Sequence, residues 1–158
     1  MWYNKKVETN NKHNVHKVLA HSYTIYFVLL LVGICLDLFF DYTVFSNSTM
    51  IPVGFLFLIL ATIIILWAQK TGRELRKIGE VKAEHFRRGP YYYTRIPTQW
   101  GLFFLILGFG IITNSFFVIL FTIISFFISK FIFIDKHDRI LINKYGIAYM
   151  EYKKLFKF

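Results

Sequence analysis

Long apolar stretches alternate along this chain with short polar ones. The first apolar block covers residues 23–40 and the second covers residues 50–68. Pro52 falls in the first turn of the second block, where a helix tolerates proline. At a rise of about 1.5 Å per residue, each block is long enough for a helix to cross a hydrocarbon layer of roughly 30 Å. The pattern therefore predicts an integral membrane protein.

The last apolar block, residues 99–134, is too long for a single crossing. Thr113-Asn114-Ser115 lies near its middle, and these residue types cap helices and bond their own backbone in turns. We therefore expect a helical hairpin. Its first arm carries small residues that permit close helix contact in lipid: Gly101, Gly108 and Gly110.

The predicted fold is all-α, with about four transmembrane helices in one membrane domain. We expect residues 135–158 to form a C-terminal surface helix that lies along the membrane or folds back over the preceding loop, because charged and aromatic residues alternate there at helical spacing. The predicted parts are a tail at 1–22, two helices within 23–68, a loop at 69–98, the hairpin at 99–134 and the tail at 135–158.

The positive charges agree with four crossings. The chain has 19 Lys and Arg against 9 Asp and Glu, and the loops at 41–49 and 113–115 contain no Lys or Arg. By the positive-inside rule, both tails and the loop at 69–98 face the cytoplasm. Because topology already requires this charge pattern, nucleic acid is a poor candidate partner, and anionic lipid headgroups are a better one.

Few residues inside the apolar blocks suggest chemistry. Cys35 is the single cysteine, so a disulfide within the chain and a cysteine-built metal site are both excluded, and no metal site is predicted. Asp37 lies near the outer end of the first helix, where we expect it to face water or a neighbouring helix. No phosphate-binding glycine loop is present.

The stretch 89–101 stands between the basic loop and the third helix. Pro90 and Pro97 restrict the backbone, and Gly89 permits a tight turn, so a stiff loop presents three tyrosines and Arg95 at the membrane surface. Two interpretations remain open. The loop holds a polar ligand, or it is an aromatic belt with a helix-start proline that anchors a helix.

Three segments are expected to converge at this end of the helices: the stretch 67–72, the stretch 85–95 and the stretch 137–146. Together they offer a cation, a carboxylate and aromatic rings, which suit a zwitterionic ligand with a flat ring. Arg95 could fork onto a ligand carboxylate, and Asp138 could accept from an ammonium group or hydroxyls.

These residues resemble the isoprenylcysteine carboxyl methyltransferase and phospholipid methyltransferase family of small membrane enzymes. That family carries Gly-Pro-Tyr, three residues, then Arg-His-Pro-x-Tyr-x-Gly, and a downstream segment with two glutamates, Leu and (Phe/Tyr)-Gly. The matching positions here are His85, Gly89, Pro90, Tyr91, Arg95, Pro97, Gly101, Leu141, Tyr145, Gly146, Tyr149 and Tyr152, with Trp67, Ala68 and Gly72 upstream. Ile96, Gln99 and His137 depart from the motif histidine, tyrosine and first glutamate.

The resemblance implies an S-adenosylmethionine-dependent methyltransferase that acts on a lipophilic acceptor at the cytoplasmic membrane face. It implies Arg95 and His85 as catalytic residues, with His85 or His137 as the base that an amine or hydroxyl acceptor needs. The implied cofactor-binding residues are Gly89, Pro90, Tyr91, Arg95, Pro97, Gln99, His137, Asp138 and Tyr145. The alternatives are an NADPH-dependent reductase related to sterol reductases and a non-catalytic relative that binds lipid or a partner.

Overall fold

The structure, a computed structural model, describes residues 23–40, 42–45, 48–77, 84 and 88–155. Within them there is no strand, only an isolated bridge between Thr43 and Ser115, so the predicted all-α class is confirmed. Two short 3₁₀ turns, Ser48–Met50 and Gly89–Tyr92, precede α2 and α3. The helices are α1 (Tyr23–Phe40), α2 (Ile51–Lys77), α3 (Pro97–Ile112), α4 (Phe116–Tyr145) and α5 (Ile147–Leu155).

Among the described residues, two helices are long and apolar enough to cross a membrane. These are α1 over Tyr23–Phe40 and α2 over Ile51–Leu75. The apolar parts of the hairpin are shorter, at Pro97–Ile112 and Phe116–Phe131. The 16 residues of α3 span roughly 24 Å. Two of the described helices thus have the full length for crossing a membrane, and two apolar helices are shorter than that. The total of four crossings stays a prediction.

Helices α2 and α3 pack closely because glycines face each other across the contact. A β-carbon at Gly108 would lie 2.8 Å from the carbonyl oxygen of Gly54, and one at Gly54 would lie 2.9 Å from that of Gly108. Near the start of α3, Gly101 packs against Ile65, and Ala61 is fully buried. Without side chains at these points the backbones approach each other and gain dispersion contacts in lipid.

The predicted hairpin turn is confirmed at Thr113-Asn114-Ser115, between α3 and α4. Asn114 has a positive φ of 54°, a conformation that asparagine tolerates. Its side-chain oxygen accepts from the backbone N–H of Val44 (3.1 Å) and Phe45 (2.8 Å), and its amide donates to the Phe45 carbonyl at 2.8 Å. The hairpin turn therefore holds the loop between α1 and α2 at this end of the helices, here called the opposite end.

Asp37 caps a helix to which it does not belong. Its two carboxylate oxygens accept from the backbone N–H groups of Phe117 and Val118, each at 3.1 Å, in the first turn of α4. Gly33, one turn earlier on α1, permits this approach, because a β-carbon there would lie 3.1 Å from the Val118 α-carbon. A negative charge at a helix N-terminus satisfies free N–H donors and opposes the positive end of the helix dipole.

Helix α4 continues far beyond the apolar block whose end we placed at residue 134. It ends at Tyr145, and Gly146, with a positive φ of 59°, then allows the chain to reverse into α5. Asp138 therefore lies on the same rigid helix as the apolar hairpin arm, not on a separate tail. Helix α5 folds back towards the loop before α3, at the end of the bundle here called the motif end.

Replacing Gly108 by valine is expected to destabilise the protein by roughly 1–3 kcal/mol, because the branched side chain must push α3 away from the Gly54 carbonyl. Thermal unfolding in detergent measures the loss. Gly72→Ala is the matched control, since the nearest atom to a β-carbon there, the Tyr91 hydroxyl oxygen, is 3.7 Å away. Equal melting temperatures for the two variants would contradict the close α2–α3 packing.

Replacing Asp37 by asparagine is expected to cost about 1–2 kcal/mol, since the amide keeps one acceptor but turns a donor towards a backbone N–H. Ser115 precedes α4 in the chain, yet its side chain makes no capping bond. Ser115→Ala should therefore lower the melting temperature less than Asp37→Asn. The reverse order would show that the cap comes from the adjacent serine.

Candidate functional site

The motif loop, residues 88–96, is held against the end of α2. Gly89 has a positive φ of 61° and opens the 3₁₀ turn Gly89–Tyr92, whose Pro90 carbonyl accepts from the N–H groups of Tyr93 and Thr94. A β-carbon at Gly89 would collide with the Thr71 hydroxyl and lie 3.1 Å from the indole nitrogen of Trp67. Glycine is needed here both for its backbone conformation and for this contact.

Arg95 and Asp138 form an ion pair across the motif end. The guanidinium nitrogen Nη1 lies 3.0 Å from Asp138 Oδ2, and the Asp138 side chain is only 4% exposed. Arg95 stands just before α3 and Asp138 lies in the C-terminal part of α4. The structure thus brings together the two charged residues that the sequence analysis assigned to a zwitterionic ligand.

Helix α5 supplies two further donors to the same carboxylate. Lys153 Nζ lies 2.8 Å from Asp138 Oδ2, and the Tyr149 hydroxyl donates to Asp138 Oδ1 at 2.6 Å. Two cations around one carboxylate leave an excess of one positive charge. Burial raises the pKa of Tyr149 far above its ordinary value and the bond to Asp138 raises it further, so the phenol stays a neutral donor.

A second tyrosine ties α5 to the motif loop. The Tyr152 hydroxyl donates to the backbone carbonyl of Tyr91 at 2.6 Å, and burial raises the pKa of Tyr152, which keeps that proton in place. The rings of Tyr149 and Tyr152 are buried with Leu75 of α2, and Tyr145 packs against this group. Helices α2, α4 and α5 therefore meet beneath the ion pair.

The other side of the motif loop borders a cavity of about 380 Å³, here called the aromatic cavity. Ile64 and Trp67 of α2 form one wall, and Tyr93, Thr94 and Ile96 of the loop form another together with Pro97, the first residue of α3. The remaining walls come from α3 and α4, through Trp100, Phe104, Phe126 and Lys130. The size is in the range of small-molecule sites, and the lining is almost entirely apolar.

The structure places the predicted site residues in different surroundings. Gly89, Pro90, Tyr91, Arg95, Asp138 and Tyr145 lie at or beside the ion pair and the motif loop. Pro97 and Gln99 are buried in the first turn of α3. His85 lies outside the described residues, and the side chain of His137 is likewise outside them, although its backbone belongs to α4.

The sequence analysis missed Lys153 as a partner of Asp138 and Lys130 as a lining residue of the aromatic cavity. For Lys153 a signal existed. Tyr149, Tyr152 and Lys153 are three and four residues apart, so on a helix they share one face. For Lys130 no comparable signal exists, because the chain alone does not show which face of α4 meets the cavity.

The chain is similar to a known protein family. The model of a family described as phospholipid methyltransferase matches residues 49–148, more than half of the chain. The matched range runs from the start of α2 to the beginning of α5, so it includes the motif loop, Arg95 and Asp138. Neither the curated proteins nor the solved structures contain a match.

Removing the Tyr152 hydroxyl is expected to loosen α5 from the motif loop. A net hydrogen bond of about 1 kcal/mol corresponds to roughly fivefold more opening, so amide hydrogen exchange in residues 147–155 should rise by about that factor in Tyr152→Phe. Tyr93→Phe is the control, because Tyr93 lies in the same loop with 75% of its surface exposed. Unchanged exchange in Tyr152→Phe would show that this bond does not hold α5.

Proposed function

This chain belongs to the phospholipid methyltransferase family, and we propose that it transfers a methyl group from S-adenosylmethionine to a lipophilic acceptor at the cytoplasmic face of a membrane. Family membership supports a membrane methyltransferase of lipids. The identity of the methyl donor, the cytoplasmic membrane face and the roles of individual residues go beyond family membership and are proposed here.

The proposal rests on the position of the motif loop, which borders the aromatic cavity on one side and the Arg95–Asp138 ion pair on the other. Tyr93, Thr94, Ile96 and Pro97 border the aromatic cavity, whereas Arg95, in their midst, bonds Asp138. A polar site and an apolar cavity are therefore separated by one stretch of backbone. Methyl transfer from a water-soluble donor to a membrane lipid needs this kind of adjacency, since the two reactants must be held in line.

The charged side fits the methionine part of S-adenosylmethionine. Arg95 and Lys153 provide cations for an α-carboxylate, and Asp138 provides an acceptor for an α-ammonium group. In the structure these groups bond each other, so the ligand's own charges would replace contacts that already exist. When bound, the cofactor supplies a methyl group activated by its sulfonium. Tyr91, Tyr145 and the first turn of α3 with Gln99 would shape the rest of the pocket.

The acceptor would enter the aromatic cavity from the bilayer, between the helices. Its apolar lining suits a hydrocarbon chain, and a chain that fills the cavity would displace water from the reacting atoms. A carboxylate acceptor needs no base. For an amine or a hydroxyl, His85 or His137 is the proposed base.

One observation favours a second candidate, a non-catalytic lipid-binding relative. Ile96 replaces the motif histidine and lines the aromatic cavity, and Gln99 replaces the motif tyrosine and is 6% exposed. The imidazole and the tyrosine ring of the family motif are thus absent from this chain, although the Gln99 amide can still form hydrogen bonds. An NADPH-dependent reductase lacks any comparable support in the structure and serves as an arm of the test.

Calorimetric titration of the purified protein in detergent tests the proposal. We expect saturable binding of S-adenosylmethionine and S-adenosylhomocysteine, with at least tenfold weaker binding in Arg95→Ala, because a charge-assisted bond to the ligand carboxylate is lost. Arg139→Ala is the matched control, since Arg139 is exposed on α4 beside Asp138.

The remaining outcomes separate the candidates. Binding of NADPH without binding of the two methionine derivatives would favour the reductase. Absence of binding by all three would overturn the methyltransferase and leave the lipid-binding relative. Equal weakening in Arg95→Ala and Arg139→Ala would show that general charge, not the buried pair, attracts the ligand.

A further inference from the structure

Two hydroxyl groups inside the helix bundle have no hydrogen-bond partner among the residues that the structure describes. They are Oη of Tyr26 on α1 and Oγ of Ser129 on α4, and these residues are 1% and 0% exposed. An unpaired hydroxyl in an interior that is surrounded by lipid costs free energy, because it has given up its bonds to water without replacing them. Each of the two hydroxyls therefore calls for a polar group close by.

Ser129 differs from the other hydroxyl residues on the same face of α4. That face carries residues at intervals of four, three and four, all of them buried: Val118, Thr122, Ser125 and Ser129. Thr122 donates to the carbonyl of Val118 at 2.6 Å, and Ser125 donates to that of Phe121 at 2.7 Å, both within α4. The Ser129 hydroxyl makes no such bond, so it remains available to a group outside its own helix.

The two hydroxyls lie at the same depth in the bundle. Helices α1, α3 and α4 meet at Val118: a β-carbon at Gly33 of α1 would lie 3.1 Å from its α-carbon, and one at Gly110 of α3 would lie 3.1 Å from its Cγ1. From this level towards the motif end, Ser129 is eleven residues away along α4, or about 16 Å. Tyr26 is seven residues from Gly33, or about 10 Å. Its ring continues in the same direction, because helical side chains point towards the N-terminus of their helix.

Gln99 of α3 lies at this depth as well. It is eleven residues before Gly110, again about 16 Å towards the motif end. It shares a helix face with Leu102 and Ile106; Ile106 forms one buried cluster with Tyr26, and Leu102 packs against that cluster. Gln99 is 6% exposed and is not among the residues that line the aromatic cavity. An amide that can both donate and accept is therefore buried on the side of α3 that faces the two hydroxyls.

We propose that one water molecule is bound between Tyr26, Ser129 and Gln99, where it bridges α1, α4 and the first turn of α3. A buried water bonds roughly two to four polar partners, and these three side chains provide that number. The family motif has a tyrosine where this chain has Gln99, and the missing ring leaves room for a water beside the small serine side chain.

The water site gives α1 a role at the motif end. Helix α1, at Tyr23–Phe40, lies outside the range 49–148 that the family model matches, so the family match does not describe this contact. Gln99 comes four residues after Arg95, and a water that holds Gln99 therefore also supports the segment that carries the ion pair. The inference concerns binding of water within the bundle and does not rest on the proposed function.

A double-mutant cycle tests the bridge, with the unfolding equilibrium of the full chain measured in mixed detergent micelles. Removing either hydroxyl, in Tyr26→Phe or in Ser129→Ala, should lower the folding equilibrium constant about fivefold, because the water loses a partner. The double variant should also lose about fivefold and not about 25-fold, since the first substitution already releases the water. Ser125→Ala is the matched control. Its hydroxyl bonds its own helix, so its effect should add to that of Tyr26→Phe.

X-ray radiolysis followed by mass spectrometry distinguishes a bound water from a direct bond between the two hydroxyls. The radiation splits bound water in place, and the resulting hydroxyl radical oxidises the side chain beside it. We expect oxidation of Tyr26 in the folded protein, at a rate about fivefold lower in Ser129→Ala, where the water is held less well. Tyr152 is the internal control, because it is also 1% exposed but donates directly to the Tyr91 carbonyl, and it should stay unmodified.

Three results would overturn the inference. Unchanged or increased stability in Tyr26→Phe and Ser129→Ala would show that both hydroxyls are unpaired, because their removal then relieves a cost. Additive losses in the cycle would show that no molecule is shared between them. Coupling without oxidation of Tyr26 would show a direct bond between the hydroxyls. Neither measurement involves S-adenosylmethionine, so failure of the water site leaves the proposed function standing, and failure of the cofactor titration leaves the water site standing.

Discussion

The buried carboxylate of Asp138 is the constraint on which the motif end depends. It is 3% exposed and bonds Arg95 before α3, Tyr149 and Lys153 on α5, while its own backbone belongs to α4. Removing one member of a buried ion pair commonly costs about 3–5 kcal/mol, because the remaining charge stays desolvated. One carboxylate on α4 therefore fixes the positions of the residue before α3, 43 positions earlier in the chain, and of α5, which follows α4 directly.

Much of this arrangement was predictable from the sequence. Apolar blocks of spanning length dictate helices, because backbone polar groups in lipid must bond within their own segment. The hairpin turn followed from Thr113-Asn114-Ser115, whose side chains can bond a turning backbone. That Arg95 and Asp138 lie at the same end of the helices was expected from the convergence of their segments and from the family resemblance. Their direct bond was not expected, because the sequence analysis assigned each of them to a ligand group, and no local pattern links residues 43 positions apart.

Other features depend on neighbours that a single chain does not reveal. The apolar block ends at residue 134, and a separate surface helix was expected after it, but α4 continues to Tyr145. Its last turns are held by Leu141, Ile142 and Tyr145, which pack against Leu75 of α2 and against Tyr149 and Tyr152 of α5. Asp37 was expected to face water or a neighbouring helix. It faces a neighbouring helix, and what the sequence did not show is that it caps the N-terminus of that helix, α4. Capping across helices leaves no spacing signature in the sequence.

Ile96 and Lys130 lie on different walls of the aromatic cavity, one on the motif loop and the other on α4. Ile96, where the family has a histidine, makes the loop wall of the aromatic cavity more apolar. A more apolar wall lowers the local dielectric, and charge interactions strengthen as the dielectric falls. The influence of Lys130 on whatever enters the cavity is therefore greater in this chain than it would be beside a polar wall.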